Sequence, residues 1–481
     1  MTNSKFPLLI DGQWVNGDLS VENRNPSDVS DLIGHFDTAS RAQTETAIAA
    51  ANHAARGWAR TSPFERAEIL QRAGELIIGE RERLGRLLAR EEGKPLADAI
   101  AEATRAGKTF QYFASQVAFE EGITLHSGRE RVRIHTRSRP VGVVGIISPW
   151  NFPLAVPSWK IAPALGAGNA VLFKPAESVP GSAWELSRIL HHSGVPAGVF
   201  SLVAGSGATV GELFATHPDV DAVSFTGSTL VGRRLLAAAH SVGGKRIQAE
   251  MGGLNPLIVA DDADLEIALD AIVDSSFGST GQRCTASQRI IVMSGIHDQL
   301  VDALTHRLRD VRVGHALDPT TQMGPVANEA QFGTNLQAIQ LAQREGAELL
   351  IGGEALERPS QGYFMSPALL VAGRPEMSIN REEVFGPVAC VSRVDEFDEA
   401  LYAANNVPFG LTSGLITSSL ARSERFQQQA EAGLITVNAS PAVSELHAPF
   451  GGAKASSYGP REQGPRGLEF YSTSSTHFVA G

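Results

Sequence analysis

The stretch Ala222-Val-Ser-Phe-Thr-Gly-Ser-Thr-Leu-Val-Gly232 decides the fold, because it predicts a β-strand that leads directly into a helix. Its first residues are β-prone, and Ser228 stands in the N-cap position of the helix that follows. Gly227 and Gly232 would let a pyrophosphate approach the free amides of the helix N-terminus. The glycine spacing differs from G-x-G-x-x-G, so by pattern alone an ordinary capped helix explains the stretch equally well.

The alternation of strand and helix continues on both sides of this stretch. Further strand candidates are Val143 to Ile147, Ala170 to Phe173, Phe200 to Val203 and Arg246 to Glu250. Strands that alternate with helices at this spacing predict a parallel sheet covered on both faces, and such sheets bind nucleotides at the carboxyl ends of their strands. A second alternation, from Leu257 to about residue 455, predicts a second α/β domain.

The amino-terminal part predicts a hairpin followed by a helical layer. Apolar runs Leu8 to Ile10 and Trp14-Val15 flank the turn dipeptide Asp11-Gly12. From Ala42 to Phe119, apolar residues recur at helical spacing.

Two exposed strands are candidates for contacts between subunits. The polar, β-prone run Val132 to Ser138 predicts either a strand that a partner subunit pairs with or a solvated edge hairpin. The Ser- and Thr-rich run Tyr471 to Phe478 predicts a second strand of this kind.

Composition narrows the class of protein. The chain has 481 residues, of which 43% are hydrophobic and 19% charged, so two or three globular domains are expected. Two cysteines cannot form a disulfide framework, the amino terminus lacks a signal-peptide pattern, and no apolar run is long enough to span a membrane. We therefore expect a cytoplasmic protein. The net charge of -11, with acidic residues spread along the chain, argues against nucleic-acid binding, and we expect no metal site.

Cys284 is the candidate nucleophile. It lies in Phe277-Gly-Ser-Thr-Gly-Gln-Arg-Cys-Thr-Ala-Ser-Gln-Arg289, where Gly278 and Gly281 favour a loop and Ile290-Ile-Val292 a following strand. The other cysteine, Cys390, lies in an apolar run and is interpreted as a buried strand residue.

Other candidate side chains follow predicted strands. Asn151, in Ser148-Pro-Trp-Asn-Phe-Pro153, could donate to an oxyanion or simply bond its own backbone in a turn. Lys174 and Glu177 could bind ribose hydroxyls, although each alone is more often a solvated loop charge. Glu250, before two glycines, could act as a general base or be a structural acid.

Together these residues, with Glu383 of Arg381-Glu-Glu-Val-Phe-Gly-Pro387, resemble the aldehyde dehydrogenase superfamily across the whole chain. The resemblance implies an α/β fold with a Rossmann-type parallel-sheet cofactor domain, an α/β catalytic domain and a small oligomerisation β-sheet. The expected boundaries are 1–121 and 141–252 for the cofactor domain, 253–457 for the catalytic domain, and 122–140 and 458–481 for the oligomerisation elements. A homodimer or homotetramer is expected.

The resemblance also assigns roles. Cys284 is the expected nucleophile, Glu250 the general base and Asn151 the oxyanion donor, and Lys160 and Glu462 match a proposed proton relay. The expected cofactor contacts are Ser148, Trp150, Lys174, Glu177, Gly207, Gly227, Ser228, Gly252, Glu383 and Phe385. The expected substrate contacts are Phe152, Trp159, Arg283 and Phe450. Arg283 either attracts a carboxylate or points away from the site as a structural residue.

Cofactor and substrate follow from the same comparison. Glu177 repels a 2′-phosphate and favours NAD, while Lys174 leaves NADP open. The blocks Gln282 to Ser287 and Ser457 to Gly464 resemble α-ketoglutaric semialdehyde (2,5-dioxovalerate) dehydrogenases. Succinate semialdehyde is a weaker alternative because Trp159 stands where the relevant enzymes carry arginine, and an aromatic tunnel would also admit benzaldehyde or vanillin.

Two other classes of protein remain open at this stage. One is a catalytically silent relative that keeps the fold as a binding or structural protein, against which Cys284, Glu250 and Asn151 argue. The other is a thiol hydrolase without cofactor, which would leave the nucleotide motifs unexplained.

Overall fold

A computed structural model of the chain describes residues 5–119 and 122–481. Met1 to Ser4, part of the segment in which no signal-peptide pattern was found, lie outside the described residues. Within the described part of the chain, no helix combines the length and apolar character needed to cross a bilayer.

The amino-terminal part confirms the predicted hairpin and helical layer. Its strands are β1 Lys5–Phe6, β2 Leu8–Ile10, β3 Gln13–Val15, β4 Leu19–Asn25 and β5 Asp28–Thr38, and its helices are α1 Arg41–Trp58, α2 Pro63–Gly79, α3 Arg81–Glu92 and α4 Leu96–Gln116. Asp11 and Gly12, at φ of 50° and 71°, form the turn between β2 and β3. Strands β4 and β5 were not predicted, because polar residues such as Glu22 to Asn25 hide the apolar alternation.

The middle of the chain alternates strands and helices as predicted. After strands β6 Thr124–His126 and β7 Val132–Pro140 come β8 Val143–Ile147, α5 Ala155–Gly166, β9 Ala170–Lys174, α6 Pro180–His192, β10 Phe200–Leu202, α7 Glu212–Thr216, β11 Ala222–Thr226, α8 Thr229–Ser241 and β12 Arg246–Glu250.

The second alternation is also present, and the chain closes with short strands. The elements are β13 Pro256–Val259, α9 Leu265–Phe277, β14 Arg289–Met293, α10 Ser294–Arg309, α11 Glu329–Arg344, β15 Glu348–Ile351, β16 Ala368–Val371, β17 Val388–Val394, α12 Phe397–Asn405, β18 Phe409–Gly410, β19 Thr412–Ile416, α13 Leu420–Gln429, β20 Leu434–Val437, β21 Ala453–Lys454, β22 Ser457–Tyr458 and β23 Ser472–Ala480.

The first sheet has the order β22-β12-β11-β8-β9-β10-β2-β3, and its central strands from β12 to β10 are parallel. From β8 the chain moves outward to β9 and β10 and then returns to the other side of β8 with β11. The strand order therefore reverses between β8 and β11. In open α/β sheets such a switch point opens a crevice at the carboxyl ends of the strands.

The second sheet has the order β15-β16-β17-β14-β13-β19-β20 and is parallel except for the pair β15 and β16. Helices α9 and α10 contribute to the apolar core on one face, and α12 and α13 to the core on the other. Cys284 precedes β14 and Glu383 precedes β17, so both lie at the amino edge of this sheet.

A third sheet has the order β23-β7-β6. The predicted strand Val132 to Ser138 lies within β7, which pairs antiparallel with the whole of β23. Residues 458–471, expected among the oligomerisation elements, lie elsewhere: Tyr458 pairs with β12 of the first sheet, and Phe470 and Tyr471 are buried in the core of the chain. Because burying these two rings removes apolar surface from water, this part of the chain packs into the core and not into the third sheet.

Candidate active site

A cavity of about 1490 Å³ lies between the carboxyl edge of the first sheet and the amino edge of the second. Its walls include all the predicted site residues except two. Lys160 and Glu462 are the exceptions, and they are buried beside the cavity, where a Glu462 oxygen accepts a hydrogen bond of 2.7 Å from the indole Nε1 of Trp159. The predicted residues are therefore brought to a single place.

Cys284 lies in a tightly held loop between α9 and β14. Ser279 and Thr280 adopt left-handed backbone angles, at φ of 50° and 60°, which turn the chain sharply after α9. The side-chain amide of Asn255 donates to the carbonyl oxygens of Cys284, at 2.8 Å, and Ala286, at 2.9 Å. The thiol is thus presented on a loop fixed by hydrogen bonds.

Burial raises the pKa of the Cys284 thiol to about 12, and the nearby carboxylates of Glu383 and Glu250 add to this shift. The thiolate form is therefore scarce at neutral pH, and the free site holds a thiol. Reaction requires a partner that removes the proton or stabilises the negative charge as it develops.

Asn151 is held through both its side chain and its backbone. Its side-chain Nδ2 donates to the carbonyl of Gln282 at 2.9 Å, two residues before Cys284. Its backbone carbonyl accepts a hydrogen bond of 2.7 Å from the ammonium of Lys94. An amide nitrogen carries two hydrogens, so one remains for a ligand in the cavity.

Glu250 ends β12 and is buried at the cavity wall. Its Oε2 accepts a hydrogen bond from the hydroxyl of Ser457, while its Oε1 is buried without a hydrogen-bond partner among the described residues. Burial, and then repulsion from Glu462, hold the pKa of the Glu250 carboxyl well above its ordinary value. A side-chain β-carbon at position 451 would lie 2.8 Å from Oε1, so Gly451 makes room for this carboxyl.

Lys160 and Glu462 form a buried pair behind the cavity. The Lys160 ammonium bonds a Glu462 carboxylate oxygen and donates to the hydroxyl of Ser224 at 3.0 Å. The pair is joined electrostatically to Glu250, whose pKa responds to both members.

The opposite end of the cavity offers groups suited to a dinucleotide. The ammonium of Lys174 is buried and donates to the carbonyl of Pro175 at 3.1 Å, while Glu177 is exposed to the cavity. Burial lowers the pKa of Lys174 in spite of Glu177. Ser228 caps α8 through a hydrogen bond from the Val231 amide, and no atom lies within 4 Å of a β-carbon added at Gly207, so the chain at Gly207 borders open space.

Glu383 and Phe385 stand between the two ends. Oε1 of Glu383 accepts a hydrogen bond of 3.0 Å from the amide of Gly253, and burial raises the pKa of this carboxyl to about 7. A β-carbon at Gly252 would lie 2.2 Å from a carboxylate oxygen of Glu383, so glycine leaves room for this carboxylate in its observed position. The rings of Phe385 and Trp150 meet edge to face, with centroids 5.3 Å apart. One wall of the cavity thus carries carboxylates that can accept hydrogen bonds from ribose hydroxyls, together with aromatic rings, and these groups suit NAD(P).

Comparison with known proteins agrees with this geometry. The sequence model of the Aldehyde dehydrogenase family matches residues 14–477. The chain belongs to the aldehyde dehydrogenase family. The predictions of an NAD(P)-dependent aldehyde dehydrogenase and of its fold are confirmed.

Three similar proteins show the extent of the match within the family. The chain is 41% identical over 476 residues to the α-ketoglutaric semialdehyde dehydrogenase of Bacillus subtilis, covering 98% of this chain and 97% of the relative. It is 38% identical over 452 residues to the 2,5-dioxopentanoate dehydrogenase of Saccharolobus solfataricus, covering 93% of each. The structure of an NAD-dependent aldehyde dehydrogenase from Sinorhizobium meliloti superposes with a TM-score of 0.96 at 34% identity, covering 99% of this chain and 95% of that one.

The remaining end of the cavity holds the residues expected to contact the aldehyde. Phe152, Trp159 and Phe450 line it as predicted, and the rings of Trp159 and Phe450 lie 5.5 Å apart. Arg283 also lines the cavity, but its guanidinium pairs with Asp274 at 3.4 Å and donates to the Ser279 hydroxyl at 3.2 Å. The positive charge of Arg283 therefore already has a counter-ion in Asp274.

Several residues of the site were not found from the sequence. Lys94 and Glu102 bond each other at 2.6 Å, and Glu102 also accepts from the amides of Leu154 and Ala155 at the start of α5. The one sequence signal was Gly93-Lys94-Pro95, a lysine in the break between two helices. A lysine in a helix break is normally solvated, so the pattern gave no reason to select it.

Proposed function

We propose that this enzyme oxidises 2,5-dioxovalerate (α-ketoglutaric semialdehyde) to the corresponding carboxylic acid, with Cys284 as nucleophile. The observation that carries the proposal is the arrangement of Cys284, Asn151 and Glu250 around one cavity that continues to a dinucleotide-binding edge. The similarity to relatives named for this substrate supports the choice of aldehyde.

In the first step the sulfur of Cys284 forms a bond to the aldehyde carbon, and the carbonyl oxygen becomes negative. The second amide hydrogen of Asn151 and the backbone N–H of Cys284 are the proposed donors to this oxyanion. Such donors typically lower the barrier by about 3 kcal/mol each. Because the pKa of the thiol is raised, its proton passes to water in the cavity as the carbon–sulfur bond forms.

The chemistry that NAD(P) supplies when bound is acceptance of the hydride from the thiohemiacetal carbon. Lys174, Glu177 and Ser228 would hold its adenosine and phosphate end, and Glu383 its nicotinamide ribose. We propose NAD as the preferred form, because Glu177 repels a 2′-phosphate, with NADP tolerated through Lys174.

In the last step Glu250 takes a proton from water, and the water oxygen attacks the thioester carbon on Cys284. The carbon–sulfur bond breaks, the acid leaves and the thiol is restored. The raised pKa of Glu250 suits it to accept this proton. The buried Lys160 and Glu462 pair is proposed to pass the proton onward.

Two other classes of aldehyde compete with the proposed substrate. Succinate semialdehyde also carries a carboxylate. Benzaldehyde and vanillin would suit the rings of Phe152, Trp159 and Phe450. We expect both classes to be poorer substrates.

The test is kcat/KM for 2,5-dioxovalerate, succinate semialdehyde, glutaraldehyde, benzaldehyde and a simple alkanal, each with NAD and with NADP. A preference of about tenfold or more for 2,5-dioxovalerate, equivalent to about 1.4 kcal/mol in the transition state, supports the proposal. A higher kcat/KM for benzaldehyde or the alkanal than for 2,5-dioxovalerate contradicts the choice of substrate but not the proposed mechanism. No aldehyde-dependent NADH formation with any aldehyde would indicate a silent relative.

We further propose a cytoplasmic homodimer or homotetramer assembled through the β23-β7-β6 sheet. Free cysteines suit a reducing compartment, and exposed Phe478 and Leu125 give this sheet apolar surface that a second subunit would cover.

A further inference from the structure

We propose that Arg105 recognises the carboxylate of the substrate. The inference rests on the proposed function, because it concerns an aldehyde that carries a carboxylate. Arg105 was not selected from the sequence, where it is one of several basic residues on a predicted helix. In the structure it projects from α4 and lines the aldehyde end of the cavity.

The guanidinium of Arg105 is fixed but not neutralised. Its Nη1 donates to the carbonyl of Ser444 at 2.8 Å, and its Nη2 to the side-chain oxygen of Gln463 at 3.3 Å. Both acceptors are uncharged. Its Nε is buried and has no hydrogen-bond partner among the described residues. A guanidinium has five N–H donors, so this one keeps several unused.

The carboxylates around Arg105 do not pair with it. In the described part of the chain no carboxylate oxygen lies within 4.0 Å of its guanidinium. Glu102 affects Arg105 only by Coulombic attraction over a longer distance, and its carboxylate is bound to Lys94. Glu445 acts in the same way from an exposed position. Burying a cation without a counter-ion is costly, and a bound anion would offset that cost.

The other cations at this end of the cavity are occupied. Lys94 bonds Glu102 and the backbone of Asn151, and Arg283 pairs with Asp274. Among the lysines and arginines that the structure describes at the aldehyde end, Arg105 is therefore the one whose charge is free for a ligand.

The ring of Trp159 packs against the guanidinium of Arg105. The Arg105 guanidinium lies 5.9 Å from its centroid, so the cation is held over the aromatic wall of the cavity. Planar guanidinium and carboxylate groups match in a two-hydrogen-bond pair, and a dry wall strengthens the attraction. The expected ligand is an aldehyde with a carboxylate at its far end.

The experiment compares 2,5-dioxovalerate with pentanal, an uncharged aldehyde of the same carbon number. In the variant Arg105→Met we expect kcat/KM for 2,5-dioxovalerate to fall about 10- to 100-fold, mainly through KM, as for loss of a charge-assisted hydrogen bond. We expect the pentanal value to stay within about twofold, which also reports correct folding. Arg105→Lys, which keeps the charge, should recover part of the loss. Arg86→Met, an exposed position on α3 outside the cavity wall, is the matched control.

The outcomes separate this inference from the proposed function. If the unmodified enzyme does not prefer 2,5-dioxovalerate to pentanal, the proposed substrate is wrong and the inference falls with it. The preference for 2,5-dioxovalerate could instead exist while Arg105→Met lowers kcat/KM for both aldehydes equally, or while Arg283→Met abolishes the preference. In either case Arg105 does not recognise the carboxylate, and the proposed function stands.

Discussion

At the scale of single residues, the surroundings of Cys284 and Glu250 favour their neutral forms. Glu250 is buried and Cys284 is partly buried, other carboxylates lie near both, and the pKa of each is raised. A neutral thiol resists oxidation and stray alkylation while the site is empty, and a basic carboxylate takes a proton from water readily. The thiolate of Cys284 is therefore generated during turnover rather than stored, and the ionised carboxylate of Glu250 is a stronger base than that of an ordinary glutamate.

The raised thiol pKa predicts how Cys284 reacts with iodoacetamide in the absence of NAD. The rate should rise about tenfold per pH unit from about pH 6 to about pH 9 without a plateau, because only the thiolate reacts. Mass spectrometry of the labelled peptide measures it, and the buried Cys390 serves as an internal control that should not react. A plateau near neutral pH would show that the thiolate is already formed.

Glu383 predicts a pH dependence for cofactor binding. Its pKa is about 7, raised by burial, so its carboxylate is largely protonated below that pH and ionised above it. We expect KM for NAD to fall as pH rises from about 6 to about 8, because the ionised form accepts ribose hydroxyls more strongly. Glu383→Gln should raise KM for NAD about tenfold and remove the pH dependence. An unchanged pH dependence in this variant would assign it to another group.

At the scale of elements, the break between α3 and α4 supports Asn151, the proposed oxyanion donor. Lys94 holds the backbone of Asn151, and Glu102 of α4 holds the start of α5. The helical layer therefore sets the position of the loop between β8 and α5 that carries Asn151. Phe152 packs over the Lys94 ammonium at 3.9 Å.

We therefore expect Lys94→Met to lower kcat by about tenfold or more while KM for NAD changes little, because Asn151 loses a support near the reacting carbon. Lys94→Arg, which keeps the charge, should lose less. Steady-state kinetics measures both constants, with circular dichroism as the check on folding. An equal loss of NAD binding would mean that the variant disturbs the whole cavity.

Elements also show what the sequence could predict. The β8 to β12 alternation was predictable because apolar runs and glycine turns are local signals, and the carboxyl-edge residues Lys174 and Glu250 followed from it. The second sheet uses its amino edge, so topology selected neither Cys284 nor Glu383: Cys284 was found from its glycine-flanked loop, and the role of Glu383 was assigned by resemblance. Arg105 and Lys94 became visible only when the helices were packed, because ordinary helix charges carry no mark of their tertiary partners.

At the scale of the whole molecule, β23 joins the carboxyl end of the chain to β7 across the entire strand. Phe478 and Val479 on it are exposed. We expect removal of residues 472–481 to yield a smaller species than the intact protein, because the proposed subunit contact would be lost. Light scattering coupled to size exclusion measures the mass. An intact protein that runs as a 51.0 kDa monomer would contradict the proposed assembly.

Trapping the acylated enzyme shows whether Cys284 carries the acyl group and whether Glu250 activates the water that hydrolyses it. Glu250→Gln is mixed with NAD and 2,5-dioxovalerate, and the chain is digested and its peptides weighed. We expect one NADH per subunit, no further turnover, and the added mass of the acyl group on the peptide that contains Cys284. An adduct on another residue, or undiminished turnover without an adduct, would contradict this mechanism.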